Sequence, residues 1–328
     1  MRFRHALSWL LCLMLWTAGA AAQDKYPSRP VKVLVPYAPG GATDIVARVV
    51  GEQLRQSLGQ SFVVENKPGA FGILAIEEMA RSKPDGYTLM LGNVSTNAIT
   101  PVLFPKKLSI DYAKDVVPVA RLADLPAFLV ATKNNFPPKS FAEFVDYVKQ
   151  HPGKVRYCSV GVGSYPHFDM EVLSRRAGLD MIHIPVKAGA GGIINDLVNG
   201  DLQVCFLNVA TTSGQVRAGH LQVYAVVSDK RLPDFPDFPT MAEVGYPGVG
   251  TIAWQALFAP SGTPPDVIET LHKAVVQALE SEPVRDSFKK SGIRAAPTAS
   301  PEDAKAWLRG EMEAWRKIVA EIKIDLTE

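Results

Sequence analysis

The sequence alternates short apolar runs with segments of helical periodicity, and glycine-rich loops join them. Val31–Val35 is an almost continuous apolar run, which is typical of a strand buried on both faces of a sheet. Gly40 and Gly41 follow it, and apolar residues then recur at helical spacing from Ile45 to Leu54. The same order of strand, loop and helix returns in the second half of the chain. This order predicts an α/β fold in which helices flank mostly parallel sheets on both faces.

The N-terminal residues 1–22 have the pattern of a secretory signal peptide. Arg2 and Arg4 precede an apolar run that is too short to cross a membrane stably, and small residues follow at 18–22. We predict cleavage after Ala22, with Ala20 as the alternative, and export to the periplasm.

Removing this segment leaves a chain with no net charge. With the two arginines gone, 33 basic residues remain against 33 acidic ones. A neutral chain has no field that would attract nucleic acid or an anionic membrane, so we expect neither as a partner. Because 47% of the residues are hydrophobic, the chain can bury a substantial core, which excludes extensive disorder.

Two cysteines remain in the mature chain, Cys158 and Cys205, each in a predicted strand. An exported protein can oxidise such a pair, so a disulfide and two buried free thiols are both open alternatives. The sequence has no Cys-x-x-Cys and no His-x-x-x-His spacing, so we predict neither a metal site nor a cofactor.

The loop Pro36–Asp44 is the strongest candidate for a ligand site. In open α/β sheets, ligands bind beyond the carboxyl ends of the strands, where this loop lies. Its glycines let the backbone come close to a ligand, and the start of the next helix offers unpaired N–H groups and a partial positive charge to an anion. Thr43 can donate a hydrogen bond, whereas Asp44 is expected to cap the helix or brace the loop; a tight turn without a ligand explains the same spacing. The candidate ligand-binding residues of this loop are Tyr37, Gly40, Gly41, Ala42, Thr43 and Asp44.

Gly161–His167 is the counterpart loop in the second half of the chain. Pro166 stands where a dinucleotide-binding fingerprint requires its third glycine, and the loop lacks the G-x-S-x-G pattern of a hydrolase nucleophile. Ser164 and His167 lie three residues apart, but two residues on one helical turn seldom align as nucleophile and base, and no carboxylate partner is evident. We therefore predict no catalytic residue and no enzyme activity. Gly163 and Ser164 are expected to contact a ligand, and His167 to brace the loop or contact the ligand.

Polar side chains also lie at the ends of other predicted strands. Asn93, Ser95, Asn97 and Asn208 are candidates, because such side chains either bond a ligand or close a turn. The loop Lys187–Gly192 is glycine-rich but lacks the Gly-Lys-Ser/Thr end of a nucleotide-binding P-loop. None of these loops contains an arginine, so a bound carboxylate would be held mainly by backbone amides, hydroxyls and helix ends, with modest affinity.

Seven motifs occur in order along nearly the whole mature chain. They are Pro36–Asp44, Val64–Ala70, Pro84–Leu89, Gly161–His167, His183–Pro185, Pro239–Gly245 and Ala259–Pro264. Each motif alone is weak, but the ordered set closely resembles the solute-binding receptors of tripartite tricarboxylate transporters, also called Bug-type receptors.

The resemblance implies a two-lobed periplasmic binding protein of the Venus-flytrap kind, similar to type II, with a mostly parallel sheet flanked by helices in each lobe. The first lobe would comprise residues 23–123 and 226–328, and the inserted second lobe residues 124–225. The chain would cross between the lobes near Asp124 and Val226, which are the predicted hinges.

The resemblance also implies how the cleft is built and used. A ligand carboxylate would sit on the loop of Pro36–Asp44, and the loops at Asn93–Asn97, Gly163–His167 and around Asn208 would complete the site. The partners would be the carboxylate and the large and small membrane subunits of the transporter. The receptor itself is expected to be a monomer.

Two positions depart from the family pattern. The family often has tyrosine where this chain has Val186 and aspartate where it has Leu207. Without that acid, ligands that carry an amine are disfavoured. A di- or tricarboxylate, or an aromatic carboxylate with an apolar body, is expected instead.

Two other classes of function use the same cleft and stay open as alternatives. One is a sensory receptor whose closed form engages a signalling partner, and the other is an exported hydrolase.

Overall fold

The computed structural model describes residues 26–186, 189–322 and 324. The predicted signal peptide with its cleavage site, and Lys187, lie outside the described residues. Among the residues that the structure describes, no helix is long and apolar enough to cross a membrane.

Strands and helices alternate along most of the described chain. The strands are β1 (Val31–Val35), β2 (Phe62–Asn66), β3 (Thr88–Asn93), β4 (Val116–Leu125), β5 (Ala127–Thr132), β6 (Arg156–Ser159), β7 (Ile182–Pro185), β8 (Val204–Asn208), β9 (Leu221–Val227), β10 (Ala253–Pro260) and β11 (Arg294–Ala295). The helices are α1 (Ala42–Leu58), α2 (Ile73–Ala80), α3 (Thr100–Leu103), α4 (Tyr112–Asp115), α5 (Phe141–Gln150), α6 (Tyr165–Ala177), α7 (Gly189–Asn199), α8 (Val209–Arg217), α9 (Pro265–Glu280), α10 (Glu282–Lys290) and α11 (Pro301–Glu321). A 3-10 turn at Ala70–Gly72 precedes α2, and a π-helical segment at Ser95–Ile99 precedes α3.

The strands form two sheets, one in each lobe. The first has the order β11–β4–β10–β3–β1–β2, and the second has the order β7–β6–β8–β5–β9. Alternation along β5 shows that the second sheet is covered on both faces, because Leu129 packs in one apolar core and Phe128 in another. The predicted two-lobed α/β fold is confirmed.

The expectation of mostly parallel sheets is wrong, because both sheets are mixed. In the first sheet only β1 pairs in parallel, with β2 and β3, while β10 runs antiparallel to both β3 and β4. In the second sheet β6 pairs in parallel with β7 and β8, while β5 runs antiparallel to β8 and β9. The physical reason is the path between the lobes: the chain leaves along β4 and β5 and returns along β9 and β10, so neighbouring strands run in opposite directions.

The two crossings between the lobes lie side by side. Pro126 alone separates β4 from β5, and Leu125 pairs with Ala253 at the start of β10. On the return path, Met241 and Val249 still pack in a core of the second sheet. This packing supports a return crossing near Ala253. We propose that the second lobe extends to about that residue rather than ending at residue 225.

An apolar face fixes helix α1 on the core of the first lobe. Val46, Val50 and Leu54 recur at helical spacing and are buried in the core of the first lobe. Gly41, the N-cap, is extended and makes no side-chain cap, so the first N–H groups of the helix are left without an intrahelical partner. Gly59 ends the helix in the left-handed conformation, with a φ of 76°, which glycine adopts without a Cβ clash.

Cys158 and Cys205 are both buried free thiols, which is one of the two alternatives left open by the sequence. They lie on the neighbouring strands β6 and β8, and the thiol of Cys205 donates to the carbonyl oxygen of Cys158 over 2.7 Å. Burial first, and then the contact with Cys158, raises the pKa of the Cys205 thiol well above its usual value, so this thiol stays protonated.

Candidate ligand-binding cleft

A cavity of about 310 Å³ lies between the lobes, and both lobes contribute to its wall. The first lobe supplies Tyr37, Ala38, Pro39, Gly40, Gly41, Ala42, Thr43, Asn93 and Ser95. The second lobe supplies Val160, Tyr165, Pro166, Gly189, Ala190, Gly191, Leu207, Asn208 and Thr211. Among the described residues of this wall, no side chain is charged.

Four helices begin at this wall: α1 from the first lobe, and α6, α7 and α8 from the second. The first turn of each helix has N–H groups without intrahelical partners and carries a partial positive charge of about half an elementary charge. An anion in the cavity would therefore be surrounded by backbone donors and helix dipoles rather than by cationic side chains.

A larger groove of about 760 Å³ runs between α10 and the segment Leu232–Phe235. Its wall contains acids such as Asp234 and bases such as Arg285, so it presents both signs of charge. We place the candidate site in the smaller cavity because helix N-termini and uncharged polar groups from both lobes converge there. Across the described chain, no group of three or more His, Cys, Asp or Glu side chains is arranged to hold a metal ion.

The loop of the first lobe is braced from behind by Asp44. Its carboxylate accepts hydrogen bonds from Gly40 N over 3.0 Å, from Asn66 Nδ2 over 2.9 Å and from Arg48 Nε over 3.0 Å. Burial alone would raise the pKa of Asp44, but the bonds from Arg48, Gly40 and Asn66 outweigh it, and the pKa is lowered. Asp44 is thus a charged brace that fixes the glycine loop.

Asn93 lines the first-lobe wall, and its side chain is held in a fixed orientation. Its Oδ1 accepts from the Tyr37 hydroxyl over 3.0 Å and from the backbone N–H of Thr96 over 3.2 Å. Its Nδ2 donates to Thr43 Oγ1 over 3.4 Å. Burial raises the pKa of Tyr37 to about 12, although the hydrogen bonds to Asn93 and Ser95 act in the opposite direction, so its hydroxyl stays protonated and donates.

Tyr165 connects the two halves of the wall. Its backbone N–H donates to Ser95 Oγ of the first lobe over 3.1 Å, and its hydroxyl donates to Asn208 Oδ1 of the second lobe over 2.8 Å. The preceding loop also packs on the first lobe, since a Cβ on Gly163 would lie 2.5 Å from Leu103 Cδ2. The structure therefore brings the lobes into direct contact at the cavity.

His167 braces the second-lobe loop and lies behind the wall. Its Nδ1 accepts from Gly163 N over 3.2 Å, and its ring stacks on His183 with centroids 3.7 Å apart. Burial first, and then His183, lowers the pKa of His167 to about 3, so the ring is neutral. Ser164 Oγ donates to Gly161 O over 2.6 Å and His167 Nδ1 accepts from Gly163 N, so the serine hydroxyl does not donate to the imidazole.

The structure divides the predicted site residues into two groups. Those on the wall are Tyr37, Gly40, Gly41, Ala42, Thr43, Asn93, Ser95 and Asn208. Those behind it are Asp44, Asn97, Gly163, Ser164 and His167. The last five do not line the cavity: the Asn97 amide, for example, donates to the buried Tyr112 hydroxyl over 2.9 Å. Their hydrogen bonds and packing support the loops from behind.

Sequence reasoning missed several residues of the second-lobe wall. Tyr165 and Pro166 belong to the Gly161–His167 motif and line the wall. Thr211 and Gly189–Gly191 add polar and backbone positions, and Val160 adds an apolar one. Val160 directly follows β6, and the other residues lie in the first turn of α6, α7 or α8. That placement could have identified them, because strand ends and the helix starts beyond them converge on one edge of a sheet.

The two mixed sheets with a cleft between them define the class of two-lobed periplasmic binding proteins. Within that class the chain belongs to one family, because the model described as "Tripartite tricarboxylate transporter family receptor" matches residues 46–324. Receptors of this family bind small carboxylates and work with membrane subunits of a transporter; they and the solved neighbours are binding proteins rather than enzymes.

Individual relatives agree over nearly the full length. Protein BugT of Bordetella pertussis is 34% identical over 313 residues, which cover 94% of this chain and 95% of BugT. MatC from Rhodopseudomonas palustris with bound malate is 35% identical with a TM-score of 0.82, covering 90% of this chain and 100% of that one. A second R. palustris protein, solved with adipate, is 30% identical with a TM-score of 0.85, covering 91% and 99%.

Proposed function

We propose that the protein is a periplasmic receptor that captures a small dicarboxylate between its lobes and delivers it to the membrane subunits of a tripartite tricarboxylate transporter. The observation that carries this proposal is the wall of the cavity, where four helix N-termini converge and no described side chain is charged. Malate and adipate, which relatives hold, are both dicarboxylates.

The first carboxylate is assigned to the first-lobe wall. Gly40 and Gly41 allow the backbone to approach it closely at the start of α1. Thr43 Oγ1 already accepts from Asn93 Nδ2, so its own proton is the group that it can offer to an anion.

The second carboxylate is assigned to the second-lobe wall. Gly189–Gly191 at the start of α7 and Asn208 at the start of α8 supply its donors. Leu207 and Val160 supply the apolar surface for the carbon chain between the two carboxylates. Because an ammonium group would find no acid on the described wall, amino acids are disfavoured as ligands.

Capture by lobe closure follows from the contacts across the cleft. The bond from Tyr165 N to Ser95 Oγ joins the lobes, and a ligand that touches both walls binds the closed form better than the open form. Such a ligand shifts the population towards closure by the difference between its two affinities.

The test is a thermal-shift and calorimetric titration of the mature protein with malate and with adipate, after refolding to remove any ligand carried through purification. A ligand at 100 times its dissociation constant should stabilise the protein by about 2.7 kcal/mol. Thr43→Ala should weaken binding about tenfold, because it removes a hydrogen bond to a charged group. Thr270→Ala, which removes an exposed hydroxyl bonded within α9, is the matched control and should bind normally.

If no dicarboxylate or related carboxylate stabilises the refolded protein, the proposed function is wrong. Equal loss of affinity in Thr43→Ala and Thr270→Ala would show that the ligand binds elsewhere.

A further inference from the structure

The wall of the cavity contains two tyrosine–asparagine pairs, one in each lobe. Tyr37 donates to Asn93 in the first lobe, and Tyr165 donates to Asn208 in the second. Both asparagines line the cavity, so the orientation of each amide decides whether a ligand meets its N–H donors or its oxygen acceptor.

The orientation of Asn93 is fixed by more than its tyrosine. The backbone N–H of Thr96 also points at Asn93 Oδ1, and a backbone N–H can only donate. The atom at that position must therefore be the oxygen, whatever Tyr37 does.

The orientation of Asn208 depends on Tyr165 alone among the described residues. Asn208 is the N-cap of α8 but makes no side-chain cap, and its Nδ2 has no hydrogen-bond partner in the described part of the chain. The Tyr165 hydroxyl is buried and stays protonated, so the arrangement that satisfies both groups places Oδ1 against the hydroxyl. The amide nitrogen then lies on the opposite arm of the planar group, directed away from Tyr165.

We propose that Tyr165 is a positioning residue that holds Asn208 with its amide N–H groups available to the ligand, which makes the second-lobe wall select a carboxylate over a neutral carboxamide. This inference rests on the proposed function. It also links selectivity to closure, because the backbone of Tyr165 is held by Ser95 of the first lobe. Without the hydroxyl, the Asn208 amide can turn over and offer its oxygen instead.

The experiment compares Tyr165→Phe with Tyr37→Phe by isothermal titration with adipate and with adipate monoamide, in which one carboxylate is replaced by a carboxamide. In Tyr165→Phe, adipate affinity should fall about tenfold, as expected for weakening a hydrogen bond to a charged group, while monoamide affinity is kept. The preference for adipate over the monoamide should therefore shrink about tenfold. In Tyr37→Phe the preference should change less than about threefold, because Thr96 still holds Asn93.

A double-mutant comparison separates positioning from direct contact. Asn208→Ala removes the donor itself at a half-buried position and should lower adipate affinity about tenfold. If Tyr165 acts through Asn208, adding Tyr165→Phe to Asn208→Ala has no further effect. Equal losses from Tyr165→Phe in both backgrounds would overturn the inference in favour of a direct contact.

Two further outcomes distinguish this inference from the function on which it rests. The inference alone is overturned if a folded Tyr165→Phe variant binds adipate as tightly as the wild type does and keeps the same preference for adipate over the monoamide. It is also overturned if Asn208→Ala binds adipate without loss of affinity. A wild-type protein that binds neither malate nor adipate overturns the proposed dicarboxylate function and this inference with it.

Discussion

Two buried aspartates brace the two walls of the cleft by different means. Asp44 lies in the first turn of α1 and is paired with Arg48, in addition to its bonds with Gly40 and Asn66. Asp169 lies one turn into α6 and, among the described residues, accepts only from Thr251, over 2.9 Å from the backbone N–H and 2.7 Å from the hydroxyl. No cation among the described residues pairs with Asp169, although the side chain is 4% exposed.

The two carboxyl groups respond to their surroundings in opposite directions. The partners of Asp44 outweigh its burial and lower its pKa, whereas burial raises the pKa of Asp169 to about 7 despite the bonds from Thr251. The first-lobe wall is therefore held by a network around an aspartate whose lowered pKa keeps it charged at neutral pH, while the second-lobe wall depends on neutral bonds and on a group that titrates near neutrality. We infer that the first wall is preorganised and that the second is adjustable.

Asp44→Ala is the strongest way to test this contrast. It leaves Gly40 N and Asn66 Nδ2 without their charged acceptor, and we expect the free energy of unfolding to fall by about 3 kcal/mol. The exposed guanidinium of Arg48 adds little to this loss. Ser164→Ala, the matched change in the second-lobe loop, removes one bond to Gly161 and should cost less than about 1 kcal/mol. Urea denaturation measures both, and equal losses would refute the contrast.

Asp169→Asn should change how stability depends on pH. An unfolded aspartate has a pKa of about 3.9, and the folded one about 7. Between these pH values the unfolded chain has released a proton that the folded chain retains. The free energy of unfolding therefore falls as the pH rises, by up to about 1.4 kcal/mol per pH unit. From pH 5 to 6.5 the wild type should lose about 2 kcal/mol relative to the variant.

Chemical denaturation of both proteins at several pH values isolates this effect, because the histidines and the other carboxyl groups contribute alike to each. Asparagine keeps an oxygen for one of the two bonds from Thr251, so the variant should fold. Parallel stability curves for wild type and variant would mean that Asp169 is charged in the fold at all these pH values.

Ser95→Ala has the smallest expected effect and tests the contact between the walls. It removes the acceptor for Tyr165 N, which should destabilise the closed form by about 1 kcal/mol and weaken ligand binding about fivefold. Ser57→Ala, whose hydroxyl bonds Leu54 O within the first lobe, is the control and should leave affinity unchanged. Calorimetry decides between them, and full affinity in Ser95→Ala would show that closure does not rely on this bond.

The parts of the fold that sequence patterns predicted are the local ones. The run at Val31–Val35, the glycines after it and the helix that follows all appear where hydrophobic periodicity placed them, and Thr43 lies on the cavity wall. These features depend on residues within a few positions of one another. The mixed sheets were not predictable in this way, because the pairing of β4 with β10 joins segments that are far apart in the chain.

Side-chain direction at the candidate site was the other limit of prediction. His167 and Tyr165 belong to one motif and one helical turn, yet His167 turns back to stack on His183 while Tyr165 lines the cavity. The choice is set by contacts with a distant strand and with the first lobe. Local spacing identified the loop, and only tertiary packing separates the residues on its wall from those behind it.

The absence of charged side chains from the described wall also affects the electric field that the receptor presents to its surroundings. In a receptor with an arginine clamp, a bound carboxylate is neutralised where it sits, and the potential at the mouth of the cleft becomes weak once the site is filled. If the ligand is the dianion proposed above, only partial charges would compensate it, and a negative potential would extend from the mouth over about one Debye length, roughly 8 Å at physiological ionic strength. The proposed loaded receptor would then differ from the empty one in electrostatic potential as well as in shape, and a membrane partner at that range would meet both signals together.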